Sequence, residues 1–151
     1  MKKFFIFAVA AALAMAACSS SQKKESPTEP AEVVEVNDTE SYASDAVVTA
    51  TNDSIYRPGM KVDMPTIIDF NATWCGPCLQ FKPIFHAAAD KFTNVRFVSV
   101  DTDICPATAT AFGISAIPTI VFISLDGTQS SVTGFMDAEE FYPMVEKLAG
   151  K

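Results

Sequence analysis

The sequence predicts an α/β fold in a single domain that begins near Asp45. Two observations carry that expectation. Short β-branched and aromatic runs alternate with stretches of helical period, and turn-forming residues such as Pro58-Gly59, Gly113 and Asp126-Gly127 separate them. With 49% hydrophobic residues and 12 Phe in 151 positions, the chain holds enough apolar side chain for one sizeable core.

In order along the chain, Val47 to Thr51 is the first expected strand. Asn52, Asp53 and Ser54 follow as turn or capping residues, and Arg57-Pro58-Gly59 truncates any first helix. Thr66-Ile67-Ile68-Asp69-Phe70 reads as a buried central strand. After Cys78 the period changes: Phe81, Ile84, Phe85, Ala88 and Phe92 recur at steps of three and four and share one helical stripe. Pro83 removes a backbone donor inside that helix, which predicts a kink. Val95 to Val100 is the next strand, and Pro106 to Phe112 is a short helix stopped at Gly113. Thr119 to Leu125 and Gln129 to Thr133, joined through Asp126-Gly127, form a hairpin. Asp137, with Glu140 as in a capping box, starts the last helix, whose Phe141, Val145 and Leu148 face the core. Pro143 lies early in this helix, and nothing in the sequence explains its tolerance there.

The segment before the domain reads as an address. Lys2 and Lys3 precede an apolar run from Phe4 to Ala17 that ends in small residues, the pattern of an export signal. The run is too short for a permanent membrane span. Met15-Ala16-Ala17-Cys18, followed by Ser19, Ser20 and Ser21, resembles the bacterial lipobox, with Met15 where that family usually has Leu. The resemblance implies that residues 1–17 are removed and that Cys18 carries lipid, anchoring the chain to a membrane without spanning it. An ordinary secretory signal with an incidental cysteine is the alternative. The expected location is exported and membrane-anchored, facing the periplasm, with the choice between inner and outer membrane open. Residues 18–44 are rich in Ser, Thr, Pro and Glu. Their acids Glu25, Glu29, Glu32, Glu35, Asp38 and Glu40 outnumber Lys23 and Lys24. Too little apolar surface is available there to offset ordering entropy, so this segment reads as a tether.

The formal charge of −7 would repel nucleic-acid phosphates and argues against that class of partner. The chemistry points elsewhere. Two cysteines separated by two residues at a helix start, Cys75 and Cys78, can close a small disulfide, and the unpaired N–H groups and helix dipole there stabilise a thiolate. Cys75 is the candidate nucleophile at the exposed start, and Cys78, one turn on and more buried, the candidate resolving thiol. Gly76 permits close approach by a substrate backbone, Pro77 stiffens the turn and suits a helix's first residues, and Trp74 supplies an apolar shoulder. Two other readings of the spacing stay open. One is half of a zinc site, although only Cys105 and His86 remain to complete the four ligands zinc takes. The other is a structural disulfide of an oxidising compartment, although so tight a loop adds little stability.

Asp69-Phe70-Asn71-Ala72-Thr73-Trp74-Cys75-Gly76-Pro77-Cys78 resembles the active-site segment of thioredoxins, and Gly113-Ile114-Ser115-Ala116-Ile117-Pro118-Thr119 resembles their cis-proline segment. Pro83, Asp126-Gly127 and Gly134 fall where that family has its helix proline, hairpin turn and glycine. The resemblance covers residues 45–151. It implies a thioredoxin fold, a central mixed β-sheet flanked by helices. It further implies that Cys75 attacks a substrate disulfide, that Cys78 resolves the mixed bond, and that Asp69 moves the proton of the resolving thiol. Pro118 would leave the backbone of Ile117 free to pair with a substrate strand. The chain departs from the family pattern at Asn71, where many members have Trp, and at Ser99, where many have a buried lysine near the aspartate.

Cys105 reads as a small buried or capping residue rather than a regulatory or peroxidatic thiol, and His86 as a surface residue of the helix. The expected activity is thiol–disulfide exchange on protein substrates by a monomer, with no cofactor or metal. Reduction is the first reading, because Gly76-Pro77 resembles the dipeptide of reducing thioredoxins, and it calls for a membrane thiol electron donor. An oxidase or isomerase of protein folding is the second reading, and a non-catalytic binding module on the same scaffold is the third.

Overall fold

The computed structural model describes residues 45–53 and 56–150; the expected leader 1–17, the tether 18–44 and Cys18 lie outside the described residues. The element order is β1 (Val47–Thr49), β2 (Thr66–Asn71), α1 (Gly76–Lys91), β3 (Arg96–Asp101), α2 (Pro106–Ala111), β4 (Thr119–Ile123), β5 (Gln129–Thr133) and α3 (Ala138–Leu148). The strands form one five-stranded sheet in the order β1-β3-β2-β4-β5. β3 runs parallel to both β1 and β2, whereas β4 is antiparallel to β2 and to β5, so the sheet is mixed.

Strand periodicity divides the core into two layers. Ile67, Phe97, Ile120 and Phe122 point to one side, where they meet Phe81, Phe85, Ala88 and Phe92 of α1 and Phe141 and Val145 of α3. Their neighbours Ile68, Phe70, Val98, Val100, Val121 and Ile123 point to the other side and meet Ala109 of α2, Tyr56 and Cys105. Phe141 sits at the centre of the first layer, its ring edge-on to Phe81 at a centroid distance of 5.0 Å and stacked on Phe85 at 6.1 Å. Such aromatic packing adds to the burial of apolar area.

Several boundaries differ from expectation for local reasons. β1 ends at Thr49, and the chain leaves the sheet through Ala50, whose N–H donates to the Ser99 carbonyl at 2.9 Å. β4 stops at Ile123 because Ser124 already belongs to the turn: its N–H donates to Thr128 O, and its carbonyl accepts from Gly127 N, both at 2.9 Å. Leu125 is therefore an exposed turn residue. Gly127 has φ +88, and a Cβ there would stand 2.9 Å from the Gly59 carbonyl oxygen. The two turns pack so closely that only glycine fits. α1 continues as one helix through Pro83. At α3 the Asp137 carboxylate accepts from Glu140 N at 2.9 Å, as the capping pattern predicts. Cys105 is the N-cap of α2 but makes no side-chain cap; instead Asp53 reaches across from the β1–β2 connection and accepts from Thr108 N at 2.8 Å.

Replacing Phe141 by Ala should lower the unfolding free energy by about 3–5 kcal/mol in denaturant titrations. Leu125→Ala, in the exposed turn, should change it by about 0.5 kcal/mol or less.

Candidate redox site

β2 ends at Asn71, and Ala72, Thr73 and Trp74 carry the chain over the edge of the sheet into α1. Cys75 N donates to Ala72 O at 3.1 Å, which closes this turn. Cys75 is then the N-cap, in extended conformation, and its Sγ accepts from Cys78 N at 3.2 Å. Pro77 falls in the first helical turn, where a missing N–H costs nothing. Cys75 and Cys78 form a disulfide across a Cα–Cα distance of 5.2 Å.

Expectation and structure differ in exposure. Cys75 is 5% exposed and Cys78 4%, so in the disulfide the candidate nucleophile is as buried as the candidate resolving thiol. Bonded to each other, the two sulfurs turn inward and pack against Ala72 and Ile117. What the site presents to solvent is Gly76, Pro77 and the Trp74 ring, the last 69% exposed.

Ile117 comes from the loop before β4. The Ile117–Pro118 peptide is cis, Pro118 is buried, and its carbonyl accepts from Gly134 N at 2.8 Å. Thr119 Oγ1 steadies the loop by donating to Ala116 O at 2.8 Å. Between this loop and Trp74 runs a groove of about 420 Å³, lined also by Thr102, Ile114 and Ser115. Trp74 is fixed at its rim, because its Nε1–H donates to Asp103 Oδ2 at 2.8 Å. Sequence reasoning missed Asp103. The β3–α2 loop that brings it to the indole carries no local pattern pointing there.

Asp69 sits in the middle of β2, 4% exposed. Burial raises its pKa to about 7, opposed by a hydrogen bond from Asn71 and by the positive charge of Lys82. Cys105 is fully buried, 3.8 Å from the Ala50 carbonyl, and burial together with Asp53 and Asp101 raises its thiol pKa. It stays protonated and inert. His86 is half-buried rather than on the surface, and its burial lowers its pKa. No group of three or more His, Cys, Asp or Glu among the described residues could hold a metal ion.

A disulfide seated on a helix N-terminus, beside an apolar groove and a cis-proline loop, suits exchange between thiols and disulfides. Fold and site thus define a thiol–disulfide oxidoreductase. The family model described as Thioredoxin matches residues 46–147, and the chain belongs to the thioredoxin family. Thioredoxin of Borreliella burgdorferi is 39% identical over 89 residues, 58% of this chain and 76% of that protein. Rabbit (Oryctolagus cuniculus) thioredoxin is 47% identical over 60 residues, 40% of this chain and 57% of its own length. Among solved structures, oxidised mitochondrial thioredoxin 3 of Saccharomyces cerevisiae superposes with a TM-score of 0.60 at 30% identity, covering 71% of this chain and 98% of that one.

The raised pKa of Asp69 has a measurable sign. Folded Asp69 keeps its proton up to about pH 7, whereas an unfolded aspartate releases it near pH 3.9. Between these values the folded state binds more protons, so stability falls as pH rises through that window. Asp69→Asn should remove this slope and make the oxidised protein more stable at pH 8, by on the order of 4 kcal/mol. Denaturant titrations at pH 4 and pH 8 check it; parallel pH dependences in both proteins would contradict it.

Proposed function

We infer that this chain reduces disulfides in protein substrates of the cell envelope through Cys75 and Cys78. The observation that carries the reading is the Cys75 sulfur at the N-cap of α1, accepting a hydrogen bond from Cys78 N at 3.2 Å. A sulfur so placed is stabilised as a thiolate by the helix's free N–H groups.

In the reduced protein the Cys75 thiolate attacks one sulfur of a substrate disulfide. A Cys75–substrate bond forms, the substrate S–S bond breaks, and the other substrate sulfur leaves as a thiolate. Cys78 then gives its proton to Asp69 and attacks the Cys75 sulfur. The Cys75–Cys78 bond forms, the second substrate sulfur is released, and two electrons have passed from the enzyme pair to the substrate. Trp74, Gly76 and Pro77 form one side of the docking surface, and Ile117 and Pro118 the other. The Ile117 backbone pairs with the substrate strand.

Export and lipid attachment at Cys18 rest on the Lys2-Lys3 head, the apolar run to Ala17 and the Met15-Ala16-Ala17-Cys18 motif. The Ser-, Thr-, Pro- and Glu-rich composition of residues 18–44 supports their reading as a tether between the lipid and the domain. In that compartment a reductase needs a membrane thiol electron donor. An oxidising location favours a second reading, in which the resting disulfide acts as an oxidase or isomerase.

The equilibrium potential of the Cys75–Cys78 pair separates these. A value near −250 mV or lower is expected of the reductase, and one near −150 mV would assign disulfide formation instead. A Cys75→Ala/Cys78→Ala variant should lose biological activity; full retention would mean a binding module. Cys18→Ser should move the protein from the membrane fraction to the soluble fraction, and persistence at the membrane would contradict lipid anchoring.

A further inference from the structure

Asn71 and Ser99, the two positions where the chain departs from its family's pattern near Asp69, meet at that buried carboxyl. β2 puts Asp69 and Asn71 on one face of the sheet, and the register sets Ser99 of β3 beside Asp69. Asn71 Nδ2 lies 2.9 Å from Ser99 Oγ, 3.0 Å from the Asp69 main-chain oxygen and 3.3 Å from Asp69 Oδ2. The main-chain oxygen can only accept, so it is the amide nitrogen, not the amide oxygen, that faces this cluster. One N–H is directed to Ser99 and the other is shared between the two oxygens of Asp69. Asn71 is itself held in place, since its carbonyl accepts from Thr102 N at 2.9 Å and from Thr102 Oγ1 at 3.3 Å. On the carboxyl, Oδ2 has a donor, whereas Oδ1 is buried without a hydrogen-bond partner among the described residues.

We propose that Asn71, braced by Ser99, is a positioning residue for the exchange reaction: its amide holds Oδ2 of Asp69 and leaves Oδ1 as the atom that takes the proton of Cys78. The proposal rests on the role given to Asp69 above, and not on the direction of electron flow. The proton passes from the Cys78 thiol to Oδ1 as the sulfur attacks Cys75, and from Oδ1 to water once the disulfide has closed. A neutral amide donor also favours the ionised carboxylate over the acid, against the effect of burial. Among the described residues, the other groups around Asp69 are few. Lys82 of α1 acts in the same direction as Asn71, Ser99 of β3 and Ile120 of β4 do not titrate, and the disulfide does not titrate while it is closed.

The test is a carbon NMR titration of the Asp69 carboxyl in the oxidised full-length chain, paired with the pH–rate profile of disulfide exchange. Asn71→Leu keeps the branched side-chain skeleton and removes the donor. It should raise the Asp69 midpoint by about one unit, the loss of a hydrogen bond to a charged group of about 1.4 kcal/mol. The exchange profile should move to higher pH by the same amount. Ser99→Ala should give a smaller shift in the same direction, and Ser99→Thr, which keeps the hydroxyl, should restore the original midpoint. An unmoved or lowered midpoint in Asn71→Leu would overturn the role of Asn71. Should that variant not fold, equal midpoints in Ser99→Ala and the parent would do so. A shifted midpoint with an unmoved exchange profile would overturn the proposal at a different point, the role of Asp69 on which it rests.

Discussion

Helix α1 begins on a sulfur atom, and the arrangement of the site depends on that constraint. A helix start leaves N–H groups without partners, and the usual solution is an oxygen from Ser, Thr, Asp or Asn. Here Cys75 takes the place of that oxygen, and its Sγ accepts from the main chain of Cys78. The same atom is bonded to the Cys78 sulfur. Opening the disulfide therefore leaves a sulfur already facing a donor at the positive end of a helix. The sheet fixes where this happens. β2 delivers the turn from Ala72 to Trp74, and β4, its antiparallel neighbour, begins directly after the Ile117–Pro118 peptide that packs over the sulfurs.

In the central strand β2 the chain tolerates a feature that a core normally excludes. A carboxyl inside a central strand is costly to ionise without compensating donors or charge. Asp69 receives partial compensation from Asn71 and Lys82, enough to leave its pKa near neutrality rather than far above it. A group in that range gives and takes protons readily at ordinary pH, as acid–base work requires. Cys105 illustrates the opposite outcome. Equally buried and surrounded by Asp53 and Asp101, it is held as a thiol and serves packing at the start of α2.

Much of this was legible in the sequence, because the signals were local. The run from Thr66 to Phe70, the stripe from Phe81 to Phe92, the Asp126-Gly127 turn and the Asp137 cap each encode their element through short-range chemistry. The Cys75–Cys78 spacing at a helix start was legible for the same reason. What escaped depends on residues far apart in the chain. Asp53 capping α2, Asp103 holding Trp74 and Ser99 bracing Asn71 are all contacts that only the sheet register and loop packing create. The burial of Cys75 escaped too, since Ile117, which packs against the two cysteines, comes from a loop far along the chain.

The chemistry of the site depends on Cys75 as a thiolate stabilised by α1. The direct measurement is the pKa of that thiol in the reduced protein, read from the pH dependence of its alkylation rate in a Cys78→Ser background. An unperturbed cysteine titrates near 8.5, and a thiol stabilised at a helix N-terminus should titrate at about 7.5 or below. A midpoint at or above about 8.5 would contradict the account, because the helix start would then give the sulfur no advantage as a nucleophile.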